Sequence, residues 1–318
     1  MTILPFVCLG IGLVVGMQKL TAGFLKATDI IINVTLIVLM LTIGMNIGVN
    51  SSIMLKLDVI GLNCLVIALF VITFSVIFTV IAEKTVLPLD RIRENLNAEN
   101  ISLNDEVTVT EDENKKSSPL VYIMPLSIIA GVALGYFVIP ANMTYLLGYI
   151  LTGSLVMLYI GVGISLGNNR KVFRYIRVLG ARVVFLPLTI FAGSLTGGFL
   201  AGQFLNLPPE VSVMASSGMS YYSLTGAYMT KIYGIETGTY GFVVNVMREF
   251  ITVLLLPILI KISKSSPIAG GAAGNMDTML MPITKFVGPE LGLVTLITGT
   301  ILTFAVPFIL PLLSVIFR

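Results

Sequence analysis

The chain contains no histidine and no tryptophan, only two cysteines, and charged residues at 11% of its 318 positions. A soluble domain carries roughly 25% charged residues. A chain with less than half that supply cannot cover itself with a hydrated surface, so a soluble enzyme, a disordered scaffold and a nucleic-acid binder are all excluded. Without histidine, no side chain has an unperturbed pKa near neutrality. The commonest metal ligand and the usual base of a serine nucleophile are also missing. No metal site and no cofactor are expected. Cys8 and Cys64 lie in apolar runs and read as small hydrophobes, not as a disulfide framework. Without tryptophan, any interfacial aromatic belt must be tyrosine.

What is present is oil. Hydrophobic residues make up 56% of the chain, and the mean hydropathy is +0.99. A spanning helix needs ~20 apolar residues. Eight segments meet or approach that length: 3–17, 30–48, 59–82, 120–139, 145–166, 183–205, 237–262 and 291–315. The expected fold is therefore an all-α polytopic membrane protein of about eight transmembrane helices. Two stretches, 207–234 and 265–290, are too rich in Gly, Ser, Thr, Met and Pro for ordinary spans and read as broken or re-entrant. The start lacks a basic n-region, its first Lys being Lys19 after the apolar run, so a cleavable signal is not expected. With the N-terminus outside, fifteen of the 19 Lys and Arg fall in inner loops and three outside, Arg248 lying within a span. That bias predicts both termini outside.

The acidic stretch 83–118 has too few apolar residues for a core and reads as a cytoplasmic linker. It divides the chain into a three-helix unit, 1–82, and a five-helix unit, 119–318. Leu41–Asn50 resembles Leu158–Gly167, each closing the second span of a three-span group. Such a match implies an inverted repeat of three helices, an arrangement common in transporters.

Three constellations carry chemistry. The span 237–262 holds Asn245, Arg248 and Glu249. A charge at mid-bilayer costs ~2.5–3.5 kcal/mol on insertion scales, so each needs a partner or a cavity. Adjacent residues sit about 100° apart on a helix, so Arg248 and Glu249 need separate partners. The second constellation is Ser216–Gly226, with Gly218, Ser220, Tyr221, Tyr222 and Ser223. Non-helical backbone at membrane depth is tolerated only where it lines protein or water, and an opened helix here offers amides and hydroxyls to an α-amino acid. The third is Ala269–Pro282. In it Asn275, Asp277 and Thr278 either cap the following helix or form a re-entrant hairpin whose Asp277 meets Arg248 or a cationic substrate. Asn46, between Gly44 and Gly48, reads as a packing residue of the second span.

Four of these features resemble the bacterial lysine exporter LysO family: Ser217–Gly226, the Arg248-Glu249 pair, Gly271–Pro282, and Ile160-Gly-Val-Gly-Ile-Ser followed by Asn168-Asn169. Together they cover the C-terminal 160 residues or so. The resemblance implies an inner-membrane carrier that exports L-lysine against a proton or sodium gradient, with Glu249 as its intramembrane carboxylate. An enzyme is not expected. A homo-oligomer is left open. One feature departs from the family pattern. A second membrane carboxylate is expected in the N-terminal half, but 38–50 has none, which leaves Asp29 or Asn46 in its place.

Overall fold

The computed structural model describes residues 4–18, 20–87, 89, 120–140, 144–168 and 179–317. Most of the acidic linker and the basic residues Arg170, Lys171, Arg174 and Arg177 lie outside these. Among the described residues every element is helical. The long ones are α1 (Leu4–Gly16), α2 (Ala22–Val49), α4 (Leu57–Thr85), α5 (Leu120–Phe137), α6 (Thr144–Asn168), α7 (Phe185–Leu205), α10 (Ile235–Ile262) and α13 (Pro289–Ile316). The short ones are α3 (Ser51–Met54), α8 (Pro209–Ser216), α9 (Tyr222–Tyr233), α11 (Ser265–Gly271) and α12 (Leu280–Val287). Six of the long helices are long and apolar enough to cross a bilayer, and α1 and the apolar part of α5 are shorter. This matches the eight apolar segments of the sequence.

Glycine seams hold the first six long helices together. A Cβ added at Gly12 of α1 would fall 2.2 Å from the Ile160 carbonyl oxygen of α6, and one at Gly163 of α6 would fall 2.5 Å from that of Leu9. Backbones that close tolerate no side chain, the logic of small-residue packing in lipid. The same pattern joins α2 to α5. Gly44 faces Ile128 and Gly131 faces Leu41, each at 2.4 Å, and one turn later Gly48 faces Val132 and Gly135 faces Met45. Both seams run parallel. The third seam is antiparallel: Gly193 and Gly197 of α7 lie on Ser75 and Val71 of α4. Two parallel seams of identical spacing and one antiparallel seam are what an inverted pair, α1-α2-α4 and α5-α6-α7, must make.

The register differs from the sequence match. The seams equate Gly44 with Gly163, whereas the Leu41/Leu158 match equates it with Gly161. Gly161 packs instead beneath Ile32 of α2. Symmetry preserves the spacing of backbone approach, and letter matching slipped by two residues.

The two mixed stretches are helical hairpins that enter from opposite faces. Gly202 and Gly198 of α7 lie on Ser212 and Ser216 of α8, so α8 turns back inward beside α7. Thr230 of α9 lies on Gly238 of α10, and Lys231 shares a cavity with Leu4 and Pro5 at the start of α1. The first hairpin therefore leaves by the N-terminal face. The second begins at the other face, where Ser265 of α11 meets Glu83 at the end of α4. Each hairpin passes to its long helix through a left-handed glycine, Gly234 (φ 92°) and Gly288 (φ 94°).

Gly12→Leu or Gly44→Leu should part a seam at a cost of about 1–3 kcal/mol, lowering the melting temperature in detergent. Gly10→Leu, which has nothing within 4 Å of its Cβ, should leave it unchanged.

Candidate functional site

On α10, Asn245, Arg248 and Glu249 lie ten to fourteen residues from the helix start at Ile235. At 1.5 Å per residue that is about 15–21 Å, the middle of a ~30 Å hydrocarbon core. The hairpin tips reach the same depth. The first is the turn between α8 and α9, with Met219 (φ 47°) and Ser220 (φ 77°) in left-handed conformation. The second is the 3-10 turn Ala272–Met276, entered through Ala272 (φ 49°). The tips touch where the Ala273 amide donates to the Met219 carbonyl at 2.9 Å.

Asn245 holds the first tip. Its Oδ1 accepts from the Ser220 amide at 2.7 Å, and its Nδ2 donates to Ala215 and Gly241 carbonyls at 2.8 and 2.7 Å. Gly218 is needed beneath it, since a Cβ there would fall 2.6 Å from Asn245 Nδ2 and 2.3 Å from Thr225 Oγ1.

Arg248 holds the second. Only 1% exposed, it donates from Nη2 to the Ala269 carbonyl at 2.8 Å and from Nε to the Gly270 carbonyl at 3.0 Å. Nη1 reaches Ser194 Oγ at 2.8 Å and Nη2 reaches Ser75 Oγ at 3.2 Å. The guanidinium thus caps the C-terminal end of α11. At the other end of α11, Glu83 accepts from the Ser265 amide and hydroxyl. A carboxylate at the N-terminus and a cation at the C-terminus both complement the helix dipole. Arg248 forms no ion pair with Asp277, and neither Asp277 nor Asn275 caps α12, which has no side-chain cap. Asn275 donates to the Ile268 carbonyl at 2.7 Å instead.

Glu249 turns to the other side. Its Oε1 would be 2.6 Å from a Cβ on Gly274, beside the Thr278 hydroxyl. Asp277 and Tyr222 lie within electrostatic range of it, and Tyr221 within range of Asp277. Asp277 is exposed despite its depth, and so are Met281 and Lys285, four and eight residues further on. They form a stripe down α12 from the tip to the face where α11 begins. Ser220 Oγ and Asn275 Oδ1 are buried without a partner, and Ser223 is buried in the first turn of α9. Asn46 donates to Thr42 of its own helix at 2.9 Å, while Asp58 is exposed at the start of α4 and Asp29 is exposed two turns inside α2. Among the described residues, the carboxylate within electrostatic range of Glu249 is Asp277. Among the described residues no three of His, Cys, Asp and Glu gather as a metal would require.

Sequence reasoning missed Glu83, Ser75 and Ser194. The hydroxyls carry no signal of their own in a helix, and Glu83 reads as the first residue of a charged linker.

Eight apolar helices and two hairpins meeting at mid-depth define a polytopic membrane protein with a polar intramembrane site. The model of the lysine exporter LysO family matches residues 6–94 and 126–314, and the chain belongs to that family. It is 30% identical over 161 residues to the lysine exporter LysO of Escherichia coli, a match covering 51% of this chain and 54% of that protein. It is 27% identical over 160 residues to a putative lysine exporter of Haemophilus influenzae, covering 50% of this chain and 82% of that protein. The match thus spans about half the length of the first of these relatives. No solved structure is significantly similar.

Asn245→Leu should leave the Ser220 amide and the Ala215 carbonyl unpaired, at about 1–3 kcal/mol for each buried group. A lowered melting temperature in detergent is the expected readout.

Proposed function

We propose that the protein is a secondary carrier, not an enzyme, that exports L-lysine and close analogues across the bacterial inner membrane in exchange for protons. The observation that carries this reading is the placement of two carboxylates, Glu249 and Asp277, beside the touching tips of two broken helices. Glu249 can hold a proton or an ammonium group, not both. That exclusion is the coupling: a proton from one side displaces lysine bound from the other. Lysine carries a net charge of +1, and moving it out against a negative interior costs ~2.3 kcal/mol per 100 mV. One proton inward per lysine outward cancels that electrical cost.

The residues divide naturally between the ends of the substrate. The first-turn amides of α9 face the tip, and the N-terminal end of a helix attracts an anion. With Ser220 Oγ free beside them, these amides and the first-turn hydroxyl of Ser223 would take the α-carboxylate. Glu249 and Asp277 would take an ammonium, with Tyr221 and Tyr222 shaping the wall. The exposed stripe Asp277–Met281–Lys285 would be the way in from the cytoplasm. In this reading both termini are outside, residues 83–118 form a cytoplasmic linker between the units 1–82 and 119–318, and Asn245, Asn275 and Arg248 support the site without touching substrate.

Glu249→Gln in proteoliposomes should abolish lysine flux driven by a pH gradient while the protein remains folded in detergent. Exchange at the unmodified rate would remove Glu249 from the mechanism. Competition by unlabelled arginine or an organic anion in place of lysine would reassign the substrate.

A further inference from the structure

The long helices fall into two groups by the way they touch. In the first, α5, α2, α6 and α1 are linked in that order. The two parallel glycine seams join α5 to α2 and α6 to α1, and Gly161 of α6 packs beneath Ile32 of α2. In the second, α4, α7, α10 and α13 hold both hairpins. Gly193 and Gly197 join α7 to α4, Gly198 and Gly202 join α7 to α8, and a Cβ on Gly299 of α13 would fall 2.2 Å from the Met276 amide nitrogen of the second tip. Hydrogen bonds complete this group. Asn63 of α4 donates to Tyr240 of α10 at 3.0 Å, Tyr228 of α9 pairs with Ser314 of α13 at 2.7 Å, and Thr303 of α13 donates to the Ala273 carbonyl at 3.2 Å. The bonds of Asn245, Arg248 and Glu83 also join members of this group.

Among the described glycines, every close approach to another helix stays within one group. The boundary between the groups is different in kind. There Phe6 of α1 meets Phe308 of α13 with ring centroids 6.4 Å apart. Leu4 and Cys8 of α1 and Leu155 of α6 face Tyr228 and Ile232 of α9 across a largely apolar cavity. Both inverted repeats are divided alike. The unit α1-α2-α4 gives its first two helices to the row and its third to the other group, and α5-α6-α7 does the same.

This difference decides what can move. Lipid tails are as apolar as leucine, so apolar side chains that leave each other for lipid lose little. A hydrogen bond parted in oil leaves two polar groups unpaired, each at a cost. The second group therefore moves whole or not at all, while its boundary with the row can slip. Ser220, Ser223, Glu249 and Asp277 all belong to that second group. We propose that lysine changes face because the second group, carrying the entire site, slides along the row α5-α2-α6-α1. The proposal rests on the carrier reading above and specifies its motion. The α12 limb, on which Asp277 is exposed, can still part locally to take up or release a cation, but the change of face comes from the slide.

The tests use the full chain in proteoliposomes, with Cys8→Ala and Cys64→Ala as background. Phe6→Cys with Phe308→Cys puts one thiol on each side of the boundary. Bridging the two with a short bifunctional thiol reagent should cut lysine flux about tenfold relative to the same protein before bridging. Ile32→Cys with Gly161→Cys is the counterpart within the row. Their Cβ atoms would lie 4.0 Å apart, inside the ~3.5–4.5 Å range of a disulfide, and oxidising this pair should leave flux within about twofold. Full flux through the bridged boundary overturns the slide, and loss of flux on locking α2 to α6 overturns the rigid row. A second measurement needs no transport. Spin labels at the exposed positions Tyr145 of α6 and Phe204 of α7 should report two distances. Labels at Phe204 and at Ile316 of α13, both in the second group, should report one. A single distance for the first pair, or two for the second, overturns the proposal. If the unmodified protein moves no lysine, the carrier reading fails by itself, and the spin-label distances still decide whether the groups slide.

Discussion

A backbone that leaves its helix inside hydrocarbon must find new partners for its amides and carbonyls, because no water is there to take them. This chain does so twice at one depth. Both rescues come from one helix: Asn245 supplies the first tip, and three residues later Arg248 supplies the second. Spacing of three on a helix keeps the two side chains on neighbouring parts of one surface. The hairpin tips then bond directly to each other, Ala273 to Met219. Without those two side chains, neither break would be tolerable, and there would be no opened backbone at which to build a site.

The same economy explains Arg248. A guanidinium buried without a carboxylate is costly, yet here all four hydrogen bonds go to neutral oxygens. Two of those are carbonyls at the negative end of α11. The other two belong to Ser75 and Ser194, on the helices α4 and α7 that form the antiparallel seam. Arg248 therefore ties a hairpin to the seam between the two inverted halves. Glu249, turned about 100° away, lies beside Gly274 and Thr278 of the second hairpin tip. Adjacent residues of opposite charge thus face separate partners, one the end of α11 and one the turn at Gly274 and Thr278.

Most of the fold was legible from composition and run length. Apolar runs of spanning length mark helices with little ambiguity, because lipid leaves the backbone no alternative. The hairpins were legible too, since Pro208, Pro209 and the Gly-rich tips break the hydropathy. The repeat was visible only roughly: its true register lies in the spacing Gly44/Gly48 and Gly163/Gly167, which only the packing partner distinguishes from other glycine pairs such as Gly161. In the site, Glu249 and Asn245 announce themselves by polarity in oil. The role of Arg248 does not, because carbonyl partners twenty residues away leave no trace in side-chain chemistry. Asp277 was equally ambiguous: an acidic residue before a helix reads as a cap until the backbone shows otherwise.

The departure from the family pattern in the N-terminal half acquires a physical sense from this geometry. A carboxylate in α2 would have to reach the hairpin tips from another helix, whereas Asp277 sits on a tip itself. Asn46 has turned to its own helix, satisfying its amide on Thr42, Asp58 stands at the start of α4, and Asp29 lies in the first third of α2. The acidic neighbour of Glu249 therefore belongs to the second hairpin. Any displacement of that hairpin would alter the distance between the two carboxylates. In the proposed carrier such a pair would make binding strength depend on conformation, which is the property alternating access requires of a site shared between two faces.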